Sequence, residues 1–97
     1  MKSLEEIKKI LTKHKEKLKE RYGIKEIEIF GSYVRGEQTE KSDIDILVDF
    51  YEIPDVFDLL RLERSLRRIL RSKVDVVRKQ AVRKELKDKI LSEAIKI

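Results

Sequence analysis

The sequence predicts a small α/β (α+β) fold in which helices pack on one β-sheet, and three observations carry that expectation. Segments with the helical period alternate with segments of period two, in the order helix, strand, short helix, strand, helix, strand, helix. The strand-like runs are rich in Ile and Val and are bounded by turn residues. At 97 residues the chain is too short for two units that each bury a core, so residues 1–97 are expected to form a single domain. Pattern alone leaves the strand directions open.

The first helix opens on Ser3-Leu4-Glu5-Glu6, a capping-box pattern, and places Leu4, Ile7, Leu11, His14 and Leu18 on one stripe before Gly23 stops it. His14, alone on that stripe, reads as a packing residue. Ile24 to Phe30 alternates Ile27 and Ile29 against Glu26 and Glu28, the pattern of a half-buried strand, and delivers Gly31-Ser32 to the sheet edge. Tyr33 to Gly36 reads as a helical turn, and Glu37 to Ser42 as an exposed loop.

Asp43 to Phe50 reads as the second strand, with Ile44, Ile46 and Val48 on one face and Asp43, Asp45, Leu47 and Asp49 on the other. Pro54-Asp55 then starts a helix supported by Asp58 and ending near Arg71, with Val56, Leu59, Leu60, Leu66, Ile69 and Leu70 expected on its buried side. Lys73 to Val77 is a short strand that buries Val74 and Val76 and carries Asp75 between them. From Arg83 onward Leu86, Ile90, Leu91 and Ala94 keep helical spacing, with an extended end around residues 95–97.

The chemistry expected of this chain lies in its acids. Asp43 and Asp45, one residue apart on a strand, project to the same side, and Asp75 adds a third carboxylate from another strand. Magnesium suits such a set, because it uses one or two protein carboxylates and takes its remaining ligands from water and substrate phosphates. Two such ions would activate an attacking oxygen and steady the leaving phosphates. Burying or semi-burying Asp43, Asp45 and Asp75 beside apolar strand residues would cost several kcal/mol for each uncompensated charge, which a cation offsets. Gly31 lets backbone approach a phosphate, Ser32 offers an N–H and a hydroxyl at a helix start, and Arg35 can pair with phosphate oxygens. Each piece alone has a plain structural reading as a turn, a capping acid or an edge residue; the combination is what points to phosphoryl chemistry.

The stretch Gly31-Ser32-Tyr33-Val34-Arg35-Gly36, followed by Ser42-Asp43-Ile44-Asp45-Ile46-Leu47-Val48 and later by Val74-Asp75-Val76-Val77, resembles the signature of the DNA polymerase β-like nucleotidyltransferases. The Gly-Ser pair, ten residues and then the D-x-D are all present, and the short length resembles the minimal nucleotidyltransferase (MNT) branch. The resemblance implies a small mixed sheet of the polymerase β-like fold. It also implies the antitoxin half of HEPN/MNT toxin–antitoxin pairs: a transferase that moves AMP from ATP, with magnesium, to a tyrosine of a HEPN ribonuclease toxin held in a hetero-oligomer. By position it assigns Gly31 and Ser32 to the triphosphate, Asp43 and Asp45 to magnesium, and Asp75 to activation of the acceptor hydroxyl; apart from the resemblance, Arg35 and Ser42 are expected at the nucleotide and Asp75 at the metal.

Composition narrows the alternatives. The chain has no Cys and one His, which excludes disulfides and thiolate or His-rich metal sites. No run approaches the roughly 18 apolar residues of a membrane span, and the N-terminus lacks the apolar core of a signal peptide, so a cytoplasmic location is expected. Few amide side chains and abundant Lys and Glu fit a thermophile. The net charge of +5 is spread along every segment and interleaved with Glu; its densest run, Arg61, Arg64, Arg67, Arg68 and Arg71, reads first as a solvated helix face, next as a match for an acidic partner and last as a nucleic-acid site. The readings that compete with a protein adenylyltransferase are a module that masks its partner by contact and a nucleotidyltransferase acting on a small molecule or a nucleic-acid end.

Overall fold

The structure, a computed structural model, describes residues 2–97. Its elements run α1 (Leu4–Tyr22), β1 (Ile24–Phe30), α2 (Ser32–Arg35), β2 (Ile44–Phe50), α3 (Val56–Leu70), β3 (Val74–Arg78), a 3-10 turn (Lys79–Ala81), α4 (Lys84–Glu93) and β4 (Ile95–Lys96). The four strands form one mixed sheet in the order β3-β2-β1-β4. β1 pairs antiparallel with both β2 and β4, whereas β2 and β3, joined through α3, run parallel.

Local chemistry sets the ends of these elements. The Ser3 hydroxyl accepts from the Glu6 N–H at 3.2 Å and the Glu6 carboxylate accepts from the Ser3 N–H at 3.3 Å, a reciprocal capping box. Gly23 closes α1 in the left-handed conformation, with its N–H on the Lys19 carbonyl. The Asp55 carboxylate caps α3 by accepting from the Asp58 N–H at 2.8 Å.

The sheet has two unlike faces. On one, Ile27, Ile29, Ile44, Ile46, Val48 and Val74 meet Ile7, Leu11 and Leu18 of α1 and Leu62, Leu66 and Leu70 of α3, and nearly all are fully buried. Each such Leu or Ile contributes about 1.5–3 kcal/mol of transfer free energy. The other face carries the polar members of the same alternation. There Glu28 is only 5% exposed and meets Lys79 Nζ at 3.7 Å, Leu47 is fully buried, and β2 contacts the 3-10 turn after β3.

Three expectations need correction. Val56 and Leu60 are not on the buried side of α3 but 70% and 53% exposed; the buried stripe is Leu62, Ser65, Leu66 and Leu70. Ser65 is accommodated because its hydroxyl lies 2.7 Å from the Tyr22 hydroxyl. The Gly31-Ser32 pair lies at the end of a central strand rather than on a lateral edge of the sheet. Finally, the three acids are not all buried: Asp43, just before β2, and Asp75, on the edge strand β3, are exposed, and only Asp45 is half-buried.

Candidate functional site

The parallel register places Asp45 of β2 directly opposite Asp75 of β3, so both side chains leave the face of the sheet that α1 and α3 do not cover. In the antiparallel pair on the other side, Phe30 is the partner of Asp45, and the chain turns at Gly31 immediately beyond. Gly31 has φ +82° and ψ −153°, a conformation open only to glycine, and a Cβ there would come 2.9 Å from the Asp45 Cγ. The Gly-Ser turn and the first strand acid are therefore packed backbone against carboxylate.

Burial first, and then the carboxylates of Asp75 and Asp43, push the Asp45 carboxyl up to about 6; Arg35 acts weakly in the opposite direction. A half-buried acid surrounded by other acids favours a positive partner. Hard oxygen donors of this kind fit magnesium. Among the described residues no three His, Cys, Asp or Glu side chains converge into a closed metal cage.

Asp45 and Asp75 line an open cleft of about 420 Å³ together with Gly31, Arg35, Lys89 and Glu93. Val77, Val82, Leu86 and Ile90 give it an apolar wall on the α4 side. Of the other expected site residues, Arg35 reaches the cleft from the end of α2. Its Nη1 is 3.0 and 3.1 Å from the two carboxylate oxygens of Glu93, and its Nε is 3.3 Å from Glu37. These bonds, Glu93 first, raise the Arg35 pKa. Ser32, which starts α2 right after Gly31, does not line the cleft, and neither does Asp43, although its charge acts on Asp45.

Ser42 is not brought to the cleft. Its hydroxyl accepts from the Thr39 N–H at 2.9 Å, shaping the loop before β2, and its side chain faces a separate hollow beside Tyr33, Glu40 and Lys73. Sequence reasoning missed Glu93, whose Oε1 accepts from the Gly31 N–H at 3.2 Å as well as from Arg35. No sequence signal marked it, because its partners lie 62 and 58 positions away.

The described residues contain no helix long and apolar enough to cross a membrane. The nucleotidyltransferase domain family matches residues 11–97. Among curated proteins, the protein adenylyltransferase MntA of Thermococcus cleftensis is 48% identical, with 98% of this chain and 96% of that protein covered. Among solved structures, a toxin–antitoxin complex with AMP-PNP contains a chain of 28% identity and TM-score 0.72, with 87% of this chain and 69% of that one covered. A complex of a tri-AMPylated Shewanella oneidensis HEPN toxin with its MNT antitoxin holds a chain of 24% identity and TM-score 0.68, covering 93% of this chain and 70% of that one, a likeness that carries the fold alone.

Proposed function

The chain belongs to the nucleotidyltransferase domain family, and from that premise we propose that it is a magnesium-dependent protein adenylyltransferase, an antitoxin that transfers AMP from ATP to a tyrosine hydroxyl of a HEPN ribonuclease toxin. The observation that carries this reading is the register pairing of Asp45 with Asp75 beside Gly31, an acid pair facing an open cleft at a turn that only glycine can make. The near full-length likeness to the protein adenylyltransferase MntA supports a protein as acceptor.

In this reading Asp43 and Asp45 hold magnesium, and Asp75 faces Asp45 across the β2–β3 pair. Bound magnesium, two ions when both positions are filled, supplies charge neutralisation for the phosphates and for the attacking oxygen. Gly31 lets the triphosphate approach the backbone, Ser32 adds a backbone N–H at the start of α2, and Arg35 pairs with phosphate oxygens. In the same reading Asp75, exposed on the edge strand, accepts the proton of the acceptor hydroxyl as that oxygen bonds to the α-phosphorus, the bond to the β-phosphate breaks and pyrophosphate leaves. The apolar wall of Val77, Val82, Leu86 and Ile90 suits the flat face of a base. Catalysis is positioning and charge neutralisation, carried out in the cytoplasm.

One observation favours a second component, masking by contact. Tyr51 and Ile53, in the segment before α3, and Val56, Phe57 and Leu60, in its first turns, are all more than half exposed, and Arg64, Arg67 and Arg68 follow along the same helix, with Arg71 just past its end. Such an apolar patch marks an interaction surface. Its basic continuation repels a second copy of this chain and matches a partner with an acidic surface, so we assign it to the toxin. The patch sits at the opposite end of β2 from Asp45, about 20 Å away at about 3.3 Å per residue, leaving the cleft open.

Co-expression separates the two components. With Asp43→Asn, lost protection of the cell against the toxin indicates chemistry, and full protection indicates masking.

A further inference from the structure

We infer that Glu93 is the resident occupant of the phosphate cradle and that it sets nucleotide affinity by having to be displaced. The inference rests on the nucleotidyltransferase reading above.

The geometry is that of an anion already bound. The Gly31 N–H and the Arg35 guanidinium converge on Glu93 Oε1 at 3.2 and 3.0 Å, and Arg35 also reaches Oε2 at 3.1 Å. A backbone N–H at a glycine turn together with a guanidinium is the donor set that recognises phosphate, and a carboxylate offers the same charge-assisted acceptors. The Glu93 carboxylate thus stands in for two phosphate oxygens.

Its hold is built into the chain path. Glu93 is the last residue of α4, and after Ala94 the chain enters β4, where Ile95 pairs with Ile29, two residues before Gly31. The backbone of Glu93 is thereby tied to the strand that ends in the cradle, and its side chain is only 17% exposed. The carboxylate leaves by rotating its own side chain, so exchange with a nucleotide needs no unfolding of β4. While present, it also adds a negative charge beside Asp45, which opposes a triphosphate.

The test is equilibrium binding of AMP-PNP, with magnesium, to the full chain as wild type, Glu93→Gln and Glu93→Asp. Glu93→Gln keeps the shape and removes the charge; Glu93→Asp withdraws the carboxylate by one methylene and serves if the first variant folds poorly. Both are expected to bind about tenfold more tightly, the equivalent of one charge-assisted hydrogen bond no longer in competition. The Gly31 amide proton resonance should move upfield in nucleotide-free Glu93→Gln and return when AMP-PNP is added. Equal or weaker binding by the variants overturns the inference, since a structural brace alone would loosen the cradle when removed. If the wild type binds and the variants gain nothing, only this inference fails. If none of the folded proteins binds AMP-PNP, the nucleotidyltransferase reading fails and takes this inference with it.

Discussion

Asp45 on β2 and Asp75 on β3 are partners in a parallel register, so two carboxylates issue side by side from one face of the sheet. That relationship decides most of what the chain is expected to do, because burial and then the neighbouring acids disfavour the charged form of Asp45 and so favour a positive partner.

In the nucleotide-free chain this pairing predicts a pH dependence. The Asp45 carboxyl is raised from 3.8 to about 6, so its contribution to stability is fully present below about 3.8 and is lost as pH rises through about 6. A shift of about two units corresponds to at most about 3 kcal/mol, which half-exposure to solvent reduces to about 1 kcal/mol. Asp45→Asn should therefore be more stable than wild type by about 1 kcal/mol at neutral pH and lose that advantage near pH 4. Denaturant titrations across this range check it, and a variant whose curve stays parallel to wild type counts against the charge cluster.

Gly31 and Gly23 both have positive φ, yet they are expected to respond differently to alanine. A Cβ at Gly23 meets nothing within 4 Å, so Gly23→Ala should cost only the strain of the left-handed conformation, about 1–2 kcal/mol. At Gly31 the added Cβ also overlaps the Asp45 carboxylate. Gly31→Ala should cost more, about 3 kcal/mol, and abolish nucleotide binding. Calorimetry on both variants separates backbone strain from loss of the cradle.

The exposed start of α3 predicts a variant that folds but does not assemble. Phe57 and Leu60 are 68% and 53% exposed, so Phe57→Lys with Leu60→Lys should change stability by less than about 0.5 kcal/mol per site. Association with the toxin should weaken at least about a hundredfold, as for lost interface anchors. Unchanged association in a pull-down with purified toxin would move the docking surface elsewhere.

Ser42 provides a prediction of small effect. Since its hydroxyl is committed to the Thr39 N–H and faces away from the cleft, Ser42→Ala should change the KM for ATP by less than about threefold, while loosening the loop before β2 by about 1 kcal/mol. A large rise in KM would place Ser42 on the nucleotide after all.

Much of this was legible in the residues, for identifiable reasons. Ser3, Glu6 and Gly23 bound α1 because caps are local chemistry, and the period-two runs around Ile27, Ile46 and Asp75 became strands because their apolar positions face a single core. The phase of α3 is not legible because Val56, Phe57, Leu59, Leu60 and Leu62 leave apolar residues on every side of its first turns. Only the docked sheet selects Leu62, Leu66 and Leu70. The degree of burial of the acids depended on strand order, which placed β3 and its Asp75 at the edge. Glu93 was out of reach because its role is made by the pairing of β4 with β1, a contact between the two halves of the chain.

The central claim is transfer by the acid pair, and the most direct measurement is incubation of α-phosphate-labelled ATP and magnesium with the purified toxin partner and either the wild-type chain or the Asp43→Asn, Asp45→Asn double variant. The account predicts label on the toxin, on a tyrosine, with the wild type, and at least about a hundredfold less with the variant. An unlabelled toxin in a stable complex with the folded wild type, or equal labelling by the variant, would contradict it.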